Sequence, residues 1–147
     1  MPVEVKYISS DDTIDLRHLV LREGKPRSSS HMEGDHLKST KHIGAFADSK
    51  CVGILSLFRA KTDHLPGVSQ YQLRGMAVDP AYRGKDIGKE LVRFSESELK
   101  KMKVEMLWCN AREMAVGFYK KLNFEILSDR FHIPEVGPHY VMYKHLN

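Results

Sequence analysis

The run Arg83-Gly84-Lys85-Asp86-Ile87-Gly88-Lys89 opens a helical pattern directly behind an apolar strand pattern. Two glycines at such a place let a ligand approach the backbone closely. The free N–H groups of a helix's first turn, with the positive end of its dipole, attract phosphate, and Arg83, Lys85 and Lys89 add charge of the right sign. The same glycines could instead merely shape the start of a helix. The spacing is not that of a Gly-x-x-x-x-Gly-Lys-Ser/Thr phosphate loop, nor is it a dinucleotide fingerprint.

Other side chains could handle an anion or a proton. Arg74 lies in the strand Gln70 to Val78, where alternation puts it on the face of Met76 and Val78. A charge between apolar neighbours needs a partner, and Gly75 beside it is a natural site for a bulge that would splay the strand. Arg112 falls where a strand gives way to a helix, and its guanidinium suits a carboxylate or phosphonate. Structural ion pairs are the plainer alternative for Arg74 and Arg22. His139 shares a strand face with Val141 and Tyr143, and an imidazole titrates where a general base should; a ring that is only solvated or hydrogen-bonded fits the same position. The Tyr119 phenol suits a general acid for a leaving thiolate, or a core aromatic with its hydroxyl bonded. No His-x-x-x-His or Cys-x-x-Cys pairing exists, so no metal is expected.

The elements that must position these residues read as follows. Val3 to Ile8 is an opening strand, and Asp11-Asp12-Thr13 offers an N-cap for a short helix from Ile14 to Arg22. Glu23 to Lys41 is a long polar loop with room for a helical turn. His42 to Ala47, Asp48-Ser49-Lys50 and Val52 to Ala60 make a hairpin, and Asp63 to Ser69 is a second connection. Lys85 to Met102 is an amphipathic helix, Glu105 to Asn110 a buried strand, and Arg112 to Leu122 a helix with Asn123 as left-handed cap. Phe124 to Leu127 and His139 to Tyr143 close the sheet. The class is α+β, mostly antiparallel, with helices packed on the sheet.

The 147 residues, with 41% hydrophobic and 29% charged, suit one soluble domain, 1–147. A net charge of +4 fits anionic ligands, but no basic run interleaved with aromatics points to nucleic acid. No stretch approaches a spanning helix, and the first residues lack a signal peptide's apolar core, so no membrane is expected and the location is expected to be cytoplasmic. Cys51 and Cys109 read as reduced thiols.

The segment from Met76 to Leu91, with Leu107-Trp108-Cys109-Asn110-Ala111-Arg112 and Phe118-Tyr119-Lys120-Lys121-Leu122-Asn123-Phe124, resembles the GNAT N-acetyltransferase family. The resemblance implies a mixed sheet of about seven strands, splayed between its two middle strands and flanked by about four helices. It implies acetyl-CoA as acetyl donor. The backbone of Met76, Ala77 and Val78 would bind the pantetheine, and Arg83, Gly84, Lys85, Asp86, Ile87, Gly88 and Lys89 would cradle the pyrophosphate. Asn110 and Phe118 would complete the cofactor set, with Tyr119 near the thiol. Asp86 departs from the family, which usually has glycine there. Nearly the full length further resembles the bacterial glyphosate N-acetyltransferase subgroup. That implies a small anionic amine as acceptor, held by Arg22, Arg74 and Arg112, with His139 as base and Tyr119 as acid; the sequence leaves monomer and homodimer both open. Arg22-Glu23-Gly24-Lys25-Pro26 departs from the subgroup, where proline follows the arginine directly. Acceptors of other kinds (an amino acid, a polyamine, a protein N-terminus) and a non-catalytic CoA-binding module are the alternatives.

Overall fold

The structure, a computed structural model, describes residues 2–67 and 69–146. Val68, in the expected Asp63 to Ser69 connection, and the two terminal residues lie outside the described residues. The backbone forms two compact units, residues 1–58 with 73–98 and residues 59–72 with 99–147. The chain passes between them three times, so neither unit is one continuous segment.

In the first unit, β1 (Glu4–Ile8) pairs antiparallel with β2 (Lys41–Ala47), and β2 with β3 (Lys50–Arg59). The β2–β3 turn is two residues long, with positive φ at Asp48 (49°) and Ser49 (68°). That handedness matches the twist of the strands it joins. Ala45 pairs with Gly53 and Phe46 with Cys51, so Val52 is bulged. β4 (Gln70–Val78) lies next in hydrogen-bonded order. Leu16, Ile54 and Ala77 form a buried cluster there. α2 (Ile87–Lys101) turns Ile87, Leu91 and Val92 inward. It comes close to β3 because residue 53 has no side chain: a Cβ there would stand 2.7 Å from Ile87 Cγ2.

The N-terminal segment departs from expectation. In place of one helix from Ile14 to Arg22 there are a 3-10 turn (Asp11–Thr13), α1 (Ile14–Leu16) and a π-helical turn (Arg17–Leu21). The start lies earlier because Ser9 and Asp12 cap one another. The Ser9 amide donates to the Asp12 carboxylate (3.1 Å) and the Asp12 amide to Ser9 Oγ (3.3 Å). The polar loop that follows holds a 3-10 turn at Arg27–Ser30, yet Ser30, Asp35 and Thr40 are buried. The cause is Arg17, whose side chain is 0% exposed. Its guanidinium donates to both Asp35 carboxylate oxygens (2.8 and 3.0 Å), the Ser30 carbonyl (3.0 Å) and Ser56 Oγ (3.0 Å). Ser56 Oγ in turn bonds His42 Nδ1 at 2.7 Å, and His42 Nε2 donates to the Asp35 carbonyl at 2.9 Å. A buried charge survives only when its hydrogen-bonding groups are met in this way.

In the second unit, Gln70, Tyr71 and Gln72 of β4 run parallel to Met106, Leu107 and Trp108 of β5 (Met106–Arg112). Among the described residues the ladder covers only those three pairs, which is the local condition for the expected splay. β5 pairs antiparallel with β8 (Gly137–His145), on which β6 (Glu125–Ile126) and β7 (Phe131–Ile133) also pair. β7 was not expected, since three residues are too few to show a period. α3 (Val116–Lys121) follows a 3-10 turn, and Asn123 (φ 71°) is the expected left-handed cap. Buried Gln70 ties down the β3–β4 connection, accepting from the Thr62 amide and donating to the Pro66 carbonyl. The fold is α+β, its sheet mostly antiparallel with one parallel pair. Among the described residues it has eight strands against about seven expected, and three α-helical segments against about four. No helix among the described residues is long and apolar enough to cross a membrane.

Candidate active site

The turn expected to bind an anion is built by the end of β4 and the start of α2. Asp79 ends the strand, donating its amide to the Val52 carbonyl and accepting from the Ala81 amide at its carboxylate (2.9 Å). Lys50 Nζ stands 3.5 Å from the other Asp79 oxygen. A 3-10 turn (Pro80–Tyr82) leads into Arg83 to Asp86, all exposed. Gly84 has φ 76° and nothing within 4 Å of where a Cβ would lie, so a ligand has open access to the backbone there. Asp86 has φ 61°, and its carbonyl oxygen accepts from the Glu90 amide at 3.0 Å. That left-handed conformation explains the glycine usual at this place: only Gly, and at modest cost Asn or Asp, adopts it. The departure at Asp86 therefore preserves the turn. Ile87 is buried and anchors the helix, while Gly88 and Lys89 are half-buried in the first turn, whose N–H groups have no intrahelical acceptor. With three cationic side chains around it, this turn fits a diphosphate.

On β4, which runs without interruption from Gln70 to Val78, Gly75 takes a left-handed φ of 64°, where a bulge was expected. Arg74, expected between apolar neighbours as a charge in need of a partner, is in fact exposed. Its guanidinium carbon lies 5.3 Å from the Phe58 ring centroid, a cation–π contact. Met76 and Val78 are half-buried and Ala77 is buried. Arg22 is half-buried, with φ −133° at the end of the π turn. Its amide donates to the carbonyls of Arg17 and His18, and Nη1 to the Leu21 carbonyl. The unusual stretch after it is a tight turn. The Lys25 amide donates back to the Arg22 carbonyl at 3.0 Å, with Gly24 at φ 80°.

In the second unit the β5–β8 register is decisive. Arg112 pairs with His139, Asn110 with Val141 and Trp108 with Tyr143, so these side chains share one face. His139 is 3% exposed. Its Nδ1 lies 2.8 Å from the Gly137 carbonyl. A carbonyl only accepts, so Nδ1 carries the proton and the neutral ring keeps its lone pair on Nε2. Phe131 lies against the ring at 5.8 Å. A cavity of about 560 Å³ opens on the same face, lined by Trp108, Asn110, Val141, Phe131, Lys61 and Arg130 among others. The Trp108 indole is held by its Nε1–H donating to the Ala60 carbonyl.

Tyr119 lies on the other face of β5, where its hydroxyl bonds the Cys109 thiol. Phe118 and Phe124 meet its ring edge-on at 5.1 and 5.2 Å. Burial, then the neighbouring Cys109, raise the Tyr119 hydroxyl well above its ordinary value. Burial pushes the Cys109 thiol up to about 12, against the opposing hydrogen bond from Tyr119. Asn110 and Tyr119, both expected at the cofactor arm, thus face opposite ways, and the Asn110 side chain looks into the cavity. The sequence reading passed over Arg17, Trp108 and Phe131. Alternation along β5 could have paired Trp108 with Arg112, but no local signal marks Arg17.

The model of the acetyltransferase (GNAT) domain family matches residues 38–126. The N-acetyltransferase YitI of Bacillus subtilis (strain 168), itself uncharacterized, is 38% identical over 144 residues, 98% of this chain and 97% of that protein. Among solved structures, an aminoglycoside 6'-N-acetyltransferase complexed with coenzyme A superposes with a TM-score of 0.80 at 17% identity, covering 98% of this chain and 97% of that one. The ribosomal-protein-S18-alanine N-acetyltransferase of Escherichia coli gives 0.77 at 15%, covering 99% and 95%. The chain belongs to the GNAT acetyltransferases. It is an acetyltransferase that uses acetyl-CoA, which sets aside the reading as a non-catalytic module.

Proposed function

We propose that this acetyltransferase acts, as a single domain spanning 1–147, on the amine of a small anionic acceptor of the amino acid or aminophosphonate class, glyphosate-like in its charges. The observation that carries the reading is the cross-strand pair Arg112–His139. An anion-binding guanidinium stands opposite an imidazole whose proton is fixed on Nδ1 by the Gly137 carbonyl. Arg112 would hold the acceptor's carboxylate or phosphonate in bidentate fashion. His139 Nε2 would take the proton that the acceptor's ammonium must lose before its nitrogen can attack. Arg22 and Arg74 are the further anion-binding candidates. The charge of Arg112 disfavours a cationic acceptor by like-charge repulsion.

Acetyl-CoA, when bound, supplies the acetyl group as a thioester. Arg83 to Lys89 would hold its diphosphate, and the backbone of Met76 to Val78 its pantetheine arm, with a Met76 N–H positioned to stabilise an oxyanion. Tyr119 Oη would serve as the acid. Burial keeps its hydroxyl in the protonated form near neutral pH, the form an acid needs, while the same upward shift weakens it as a donor.

The test is a thiol-release assay against glyphosate, amino acids and an aminoglycoside. The expected order favours acceptors with a carboxylate or phosphonate. Arg112→Ala should raise KM for them by about tenfold or more with a smaller change in kcat. Preference for the polycation, or an Arg112→Ala enzyme with unchanged KM, would refute the acceptor class.

A further inference from the structure

We infer that Arg17, clamped by Asp35, is the positioning residue that aims the two acceptor-binding arginines of the first unit, Arg22 and Arg74. The inference rests on the proposal that those arginines bind an anionic acceptor.

Arg17 is fully buried and is fixed by hydrogen bonds on both terminal nitrogens. Bidentate pairing with a carboxylate sets the plane of a guanidinium as well as its place. The Asp35 carboxylate is itself held by the Met32 amide at 2.9 Å. Burial pushes this carboxyl up, but the bonds from Arg17 and Met32 and the charge of Arg17 outweigh burial and hold it below the usual range. The pair therefore stays ionised and rigid near neutral pH.

Two lines of contact lead outward from it. Along the backbone, the Arg17 carbonyl accepts the Arg22 amide at 3.1 Å, closing the π turn from which the Arg22 side chain leaves. A π turn closes i→i+5 where an α-helix closes i→i+4, so keeping it decides where the chain leaves the turn at Arg22. Across space, the Nε edge of Arg17 faces β4. A Cβ on Gly75 would lie 3.4 Å from Nε and 3.2 Å from Met32 Cε. Arg17 Nε is buried with no hydrogen-bond partner among the described residues, a loss tolerated where the other four bonds demand this orientation. The guanidinium and Met32 thus pack on the left-handed glycine that follows Arg74, and they crowd any side chain or backbone shift at that position. One buried side chain meets the turn that ends at Arg22 and the glycine next to Arg74.

The experiment compares Arg17→Lys, Arg22→Ala and Arg74→Ala by steady-state kinetics with glyphosate as probe, alongside CoA binding by calorimetry and thermal melts. Lysine keeps the charge but not the fork. Arg17→Lys is expected to raise KM for glyphosate by about 10- to 100-fold, with kcat changed less and CoA affinity within about twofold, because misplaced binding groups are felt at the acceptor. A second variant, Arg17→Met/Asp35→Leu, replaces the pair with apolar side chains, which often restores stability. It should melt near wild type and still show the raised KM, an outcome a purely structural role does not give. If Arg17→Lys only lowers the melting temperature and leaves KM unchanged while Arg22→Ala and Arg74→Ala raise it, the positioning role is wrong and the acceptor proposal stands. If Arg22→Ala and Arg74→Ala also leave KM unchanged, the acceptor role of these two arginines fails and takes this inference with it; if the wild-type enzyme turns over no amine bearing a carboxylate or phosphonate, the acceptor proposal itself fails and this inference with it.

Discussion

Gly53→Ala is the sharpest test of how the cofactor turn is held. The added Cβ would stand 2.7 Å from Ile87 Cγ2, 3.1 Å from Leu91 Cδ1 and 3.7 Å from the Ala77 carbonyl oxygen. Ordinary carbon–carbon contact is about 3.5 Å, so the head of α2 must move by about 0.8 Å. Neither neighbour has slack, since Ile87 is 2% and Leu91 0% exposed. Overpacking of this kind costs about 1–3 kcal/mol. For a chain of this length that is a fall in Tm of roughly 3–10 °C. Because Ile87 opens the helix whose first turn is proposed to hold the diphosphate, CoA affinity should fall with it. Differential scanning calorimetry and CoA titration measure the two effects. The branch at Ile87 Cβ carries the clash, so Gly53→Ala/Ile87→Leu should recover part of both losses. Gly117→Ala is the control. It has nothing within 4 Å of the new Cβ and sits within α3, so it should gain about 0.5–1 kcal/mol from a stiffer unfolded chain. A Gly53→Ala protein with wild-type Tm and CoA affinity would refute the packing argument.

Three other expectations follow from the same geometry. His139→Gln should lower kcat by about 10²–10⁴-fold and abolish the limb of the pH–rate profile set by the base; an unchanged profile would remove His139 from that role. Cys109 and Tyr119 hold their protons more tightly folded than unfolded. The stability they contribute is therefore complete below the ordinary thiol value of 9.0 and is lost as pH rises from there through about 12; Cys109→Ala should flatten that alkaline decline in a melt series. Asp35 has a lowered pKa, so its contribution is present above its ordinary value of 3.8 and is lost as pH falls below it. Asp35→Asn should destabilise the protein at neutral pH and blunt the acid limb of its stability curve.

The sequence by itself determined what is local. Period-two and period-3.6 patterns placed β2, β3, β4, β5 and α2 within a residue or two. Asp48-Ser49 marked the hairpin, and Asn123 marked the end of α3. The residues from Arg83 to Lys89 marked an exposed turn ahead of α2, because a backbone that turns left-handed, here at Gly84 and Asp86, is written in residue type at that very place. The paired roles of the side chains needed tertiary structure. Arg112 and His139 are far apart in the chain, and only the β5–β8 register sets them opposite each other. Arg74 and Arg17 show the same limit from both sides. The arginine in an apolar strand is exposed, and the one in a plain helical pattern is the most deeply buried charge described. Burial of a charge depends on whether distant groups, here Asp35, Ser30 and Ser56, converge on it, and no window of neighbouring residues carries that information.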